Sequence, residues 1–143
     1  MAILTLAGVC HAPTVDLRSA DWLRSWLPQL AERIGMHPVG EVVIQPYAHW
    51  PDGAPSGVLF IEESALIVHC YPEKDYIELI LHSCKAIPNR VDVAIGIIKD
   101  LKLTLKYHRY ESAMDWRVLA NGAAYQALLW PDAIRMASYH GAG

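Results

Sequence analysis

The sequence predicts an α+β protein, a two-layer sandwich with helices packed on one face of an antiparallel β-sheet. Three observations point there. Short strand-like runs outnumber helical stretches. The runs between residues 57 and 84 are joined by links of a few residues, too short for parallel crossovers. The clear helical patterns fall outside that block, so the order reads β-α-β-β-β-β-α-β-α. With 143 residues, 53% apolar and 19% charged, the chain suits a single domain over 1–143 with a buried core.

Ala2 to Val9 is an apolar run that reads as a buried strand, ending at the turn-prone segment from His11 to Thr14. Asp16 or Ser19 then caps a helix whose apolar positions Trp22, Leu23, Trp26, Leu27, Leu30 and Ile34 keep helical spacing, with Gly35 as its stop. Pro28 lies inside it, and an interior proline costs about 3 kcal/mol against alanine, which predicts a kink or two short helices. Glu41 to Tyr47 alternates like a strand whose end Pro46 consigns to a sheet edge. His49 to Ser56, with Pro51, Gly53 and Pro55, reads as loop.

Gly57 to Cys84 is the organising stretch. Gly57–Glu62 and Ala65–Tyr71 are strand runs separated only by Glu63 and Ser64, which puts Ser64 at an exposed corner. Alternation sends Leu66 and Val68 to one face and Ala65, Ile67 and His69 to the other, so an imidazole joins an otherwise apolar row. Pro72 to Asp75 supplies a turn and Tyr76 to Cys84 a third strand that folds back, so that Ser64, His69 and Cys84 are expected to converge. Beyond it, Asn89 caps a second helix carrying Val91, Ile95, Ile98 and Leu101, and Lys102 to Tyr110 alternates as a half-exposed strand. Ser112 to Asp115 resembles a capping box opening an added C-terminal helix, from about 112 to about 128.

Composition narrows the function classes. Nothing approaches eighteen consecutive apolar residues and no secretory signal is evident, so no membrane partner is expected. Three cysteines without zinc spacing predict a reducing, cytoplasmic setting and no metal site. A net charge of −3 without a Lys/Arg cluster argues against nucleic acid and for a small-molecule substrate.

Glu63-Ser64, His69, Tyr71-Pro72-Glu73 and Cys84, preceded by Trp50 and Ser56, resemble the signature of the bacterial and archaeal S-adenosylmethionine decarboxylase proenzymes: a Glu-Ser self-cleavage pair, a His five residues on, a Trp-Pro-Glu, and a Cys twenty after the Ser. The likeness is best from about Ala48 to Cys84, extends weakly over Leu4 to Arg109, and leaves the C-terminal residues uncovered. Departures are specific. Ala65 replaces a His, Tyr71 a Trp and Lys85 a Gly, and the acidic residue that the family carries on its first strand corresponds to Gly8, unless Glu62, Glu78 or a partner subunit supplies the carboxylate.

The resemblance implies an S-adenosylmethionine decarboxylase-like fold, a homodimer or higher homo-oligomer, and a pyruvoyl cofactor made from Ser64 when the chain cuts itself after Glu63. That group is a ketone that condenses with a substrate amine and draws off the electrons released with carbon dioxide. His69 and Ser56 would assist the processing, Cys84 would protonate the substrate carbon, Trp50 and Tyr71 would stack an adenine, and Glu73 would accept from ribose hydroxyls. Three readings stand in this order: a decarboxylase of S-adenosylmethionine supplying spermidine synthesis, or of arginine or ornithine; a homologue that never cleaves and binds or otherwise processes an adenosyl ligand; and an idle interaction module. Taken singly, each residue has a bland alternative. A corner Ser is a turn residue, a His in an apolar row a hydrogen-bonded core residue, and a strand-end Cys a small hydrophobe. Cys10, Cys70 and His82 read as packing.

Overall fold

A computed structural model describes residues 1–46, 55–62, 64–87, 89–112, 126–127 and 132–141. The elements are β1 (Ala2–Cys10), α1 (Ala20–Arg33), β2 (Val43–Pro46), β3 (Pro55–Ile61), β4 (Ser64–Tyr71), a 3-10 turn (Pro72–Lys74), β5 (Tyr76–Ser83), α2 (Arg90–Leu101), β6 (Leu103–Ser112), β7 (Gln126–Ala127) and α3 (Asp132–Ala137). The seven strands form one antiparallel sheet in the order β2-β3-β4-β5-β1-β6-β7. β1 therefore inserts between β5 and β6, and the organising stretch occupies the adjoining side of the sheet as a meander.

Strand parity decides which face is buried. Leu4 and Leu6 of β1, Leu59 of β3, Leu66 and Val68 of β4 and Ile77, Leu79 and Leu81 of β5 are all buried. With Leu23, Leu27 and Leu30 of α1 and Ala94, Ile97, Ile98 and Leu101 of α2 they form one hydrophobic core. Each fully buried Leu or Ile contributes about 1.5–3 kcal/mol against an exposed one, so this shared layer fixes the strand register. The opposite face has no helix over it among the described residues, and it is far from polar. Val58, Ile67, Ile80 and Ile3 lie on it half-buried, and Phe60 and Val43 are 54% and 55% exposed.

Local chemistry explains most boundaries. The Ser19 hydroxyl accepts a hydrogen bond from the Trp22 backbone N–H at 3.2 Å and starts α1. α1 runs through Pro28 as one helix and not as two short ones; Leu27, Leu30 and Ala31, buried on both sides of the proline, hold the helix to the sheet and offset the lost backbone bond. Asn89 sits at the start of α2 but in the left-handed region, φ 51°, and makes no side-chain cap bond, so its contribution is the backbone turn. Val91 and Ile95 are only half-buried, because the face of α2 that meets the core is the Ala94, Ile97, Ile98 and Leu101 stripe. β2 lies at the sheet edge, as Pro46 requires.

The C-terminal part differs from expectation. Ser112 is the last residue of β6, not a helix cap, and Gln126–Ala127 pairs with Glu111 and Ser112 as a strand. The rest of the expected helix, 113–125 and 128, lies outside the described residues. α3 packs on α2 with Ile134 fully buried, and the following segment is tied back to β6 by Tyr139 N–H to the Leu103 carbonyl and Leu105 N–H to Ser138 Oγ, both 2.8 Å.

Candidate active site

Ser64 opens β4 at the corner, where the meander leaves β3. Its Oγ accepts a hydrogen bond from the backbone N–H of Cys84 at 3.2 Å, because β5 returns antiparallel and ends beside the start of β4. An N–H aimed at a hydroxyl oxygen stabilises negative charge developing there, which is what an attacking serine needs. Cys84 is exposed, and it takes no part in a disulfide. The corner forms one wall of a cleft of about 230 Å³ whose other residues include Met36, His37, Glu62, Ser83 and Lys85. The opposite wall is pinned in place: Glu62 N–H donates to the His37 carbonyl at 3.1 Å and Val39 N–H to the Phe60 carbonyl at 2.7 Å.

His69 is elsewhere. It lies five residues along β4, about 16 Å at the usual strand rise, and has the opposite parity to Ser64. The expected convergence thus joins Ser64 and Cys84 and leaves His69 apart, since an odd spacing along a strand reverses the face. His69 instead pairs across strands with Ser56, whose Oγ is 3.1 Å from Nδ1, a hydrogen bond in which either group can be donor. Ser56 is therefore part of β3 and not of the preceding loop. Two half-sites result, one at each end of β4.

The His69 end carries more than the sequence reading named. On the uncovered face Ser56, His69, Glu78 and Ala7 stand side by side in register across β3, β4, β5 and β1. One step further along, Tyr71 is paired with Tyr76, their rings 6.0 Å apart edge to face. Tyr76 was missed and Glu78 was named only as a substitute; pairing Tyr71 with Tyr76 across the Pro72–Asp75 turn places Glu78 opposite His69, which is the signal that finds both. His37 and Lys85 carried no pattern of their own and become visible only through the cleft. Glu73 is exposed in the 3-10 turn. Trp50 and Glu63 lie outside the described residues.

One departure from the signature acquires a physical meaning. A Cβ added at Gly8 would sit 2.2 Å from the Thr104 carbonyl oxygen, because the β1–β6 register shifts between Ala7 and Gly8 and draws the β6 backbone close. No side chain, acidic or otherwise, fits there without moving β6. Cys10 and Cys70 are packing residues, as expected: the Cys10 thiol donates to the Leu101 carbonyl at 3.1 Å, and burial pushes the Cys70 thiol up to about 12. His82 Nε2 lies 3.2 Å from the Met1 sulfur.

The fold and the paired corner define a class: an antiparallel two-layer sandwich with a serine and a cysteine joined at a strand corner. The family model described as S-adenosylmethionine decarboxylase matches residues 4–113, and the chain belongs to that family. Among solved structures it is similar to the crystal structure of the adenosylmethionine decarboxylase from Aquifex aeolicus VF5, with a TM-score of 0.54 and 16% identity over 76% of this chain and 85% of that one. At that identity the likeness is one of fold. No curated protein matches the chain.

Proposed function

We propose that this chain is a pyruvoyl-dependent decarboxylase of S-adenosylmethionine that cuts itself between Glu63 and Ser64 and serves spermidine synthesis. The observation that carries the reading is the Ser64 Oγ held by the Cys84 N–H at the wall of an open cleft. The residues fit the cofactor: a corner serine has its nucleophile steadied and room beside it for a substrate. When formed, the pyruvoyl group supplies an electron sink for loss of carbon dioxide. Cys84, next to it and exposed, holds a proton for the substrate carbon, and a reducing cytoplasm keeps that thiol available.

The separation of the half-sites also favours a homodimer. An apolar sheet face with Phe60 and Val43 exposed suits burial against a second copy. A two-fold axis set across the strands would bring each copy's Ser56–His69 pair to the end where the other holds Ser64 and Cys84. In that arrangement His69 moves protons during cleavage of the neighbouring chain.

Intact-protein mass spectrometry is the test. Two fragments meeting at the Glu63–Ser64 bond, the C-terminal one without a free amino group, are expected. A single full-length mass after prolonged incubation would replace this reading with the non-cleaving adenosyl binder.

A further inference from the structure

The carboxylate of Glu78 is the unexplained charge on the uncovered face. It stands half-buried between His69 and Ala7 in register, with Ile80 beyond it along the strand and the Tyr71–Tyr76 pair before it. Among the described residues no cation pairs with it: Arg109, the guanidinium borne on the same face by β6, is engaged with Glu111, and the nearer imidazole of His69 is bonded to Ser56. A charge in this position is expensive once the face is covered, because a carboxylate removed from water needs a cation or several donors to offset its lost hydration.

We infer that Glu78, flanked by Tyr71 and Tyr76, is a subsite for the positive centre of an organic cation, and that it determines specificity for charged over neutral adenosyl compounds. The inference rests on the adenosyl reading for the identity of the cation, a sulfonium. Tyrosine faces attract a cation through the ring quadrupole and a carboxylate supplies the opposing charge, so the pair recognises a centre that has no N–H to donate. Glu78 lies on the strand adjoining β1, in register with Ala7, so its charge stands on the uncovered face.

The test is calorimetric titration of the full chain and of Glu78→Gln, which keeps size and strand position while removing the charge. S-adenosylmethionine and the uncharged methylthioadenosine are the two probes. Glu78→Gln is expected to weaken S-adenosylmethionine at least about tenfold and to leave methylthioadenosine within about twofold. Equal effects on both, or no effect, overturn the cation subsite. Should the full chain bind neither compound, the adenosyl reading fails by itself and agmatine, a cation without adenosine, decides the subsite: binding that Glu78→Gln weakens sustains it, and no binding overturns it. Light scattering on both proteins separates a third outcome, in which Glu78→Gln changes only the oligomeric state and Glu78 is an interface charge.

Discussion

The two ends of β4 carry the same kinds of residue for different physical reasons. At the start of the strand, Ser64 and Cys84 are joined by a backbone donor and sit at a cleft, a place where backbone and nucleophile are both accessible. Toward the far end, Ser56 and His69 are joined side chain to side chain on a face that no helix covers among the described residues. The first end would suit chemistry on the chain itself under the proposed reading, whereas the second pairs a hydroxyl with an imidazole, two groups that can exchange a proton. The contrast teaches that a signature compact in sequence need not be compact in one molecule. Residues five apart on a strand share neither face nor neighbourhood.

Experiments can break this contrast, beginning with the largest effect. Ser64→Ala and His69→Ala are each expected to abolish or slow self-cleavage by at least about a hundredfold while folding normally. If the half-sites meet across a two-fold, co-expressing the two variants restores about a quarter of wild-type activity, since half the dimers are mixed and each mixed dimer keeps one intact pair of ends. No recovery would place both ends in one chain's service and remove the shared site. Cys84→Ala is expected to cleave normally, seen as two bands on a denaturing gel, yet release carbon dioxide about a hundredfold more slowly. Equal slowing of both steps would assign the Cys84 thiol to processing as well, since alanine keeps the backbone N–H.

Gly8→Ala is a smaller perturbation and tests the close approach of β6 to β1. Forcing a methyl against the Thr104 carbonyl should cost about 1–3 kcal/mol in urea denaturation. A loss under about 0.5 kcal/mol would mean β6 yields easily. Least disruptive is alkylation with iodoacetamide at neutral pH, followed by mass mapping: Cys84 should react first, Cys10 slowly, and Cys70 only after unfolding. Burial raises the Cys70 thiol to about 12, so its reactive thiolate is absent until the pH climbs toward that value. Burial likewise raises Cys10, and rapid labelling of either would contradict the packing described here.

Much of this was legible in the sequence, and particular residues show where legibility stopped. The meander from β3 to β5 could be read because alternation and short links leave an antiparallel sheet few registers, but both rows of β4 are apolar, so only packing shows that Leu66 and Val68 take the buried face. The Ser64–Cys84 contact followed from that register. The separation of His69 was implicit in the same parity, yet spacing suggested convergence because a linear signature does not say how many chains it spans. Pro28 does not divide α1 into two helices, because tertiary packing, which propensity cannot see, holds it as one. Ser112 misled in another way: a capping pattern is local, whereas its partner in β6–β7 pairing lies fourteen residues further on, at Gln126.

The close approach of Gly8 to the Thr104 carbonyl bears on how this protein's history can run. A chain with an acidic residue at position 8 and this chain, with its glycine, are not one substitution apart in any useful sense. A backward change at position 8 would meet the β6 backbone before it met any ligand, so selection would see only a damaged sheet. Reversal has to start on β6, with the register slip between β1 and β6 undone first. The slip thus acts as a ratchet that keeps position 8 bare.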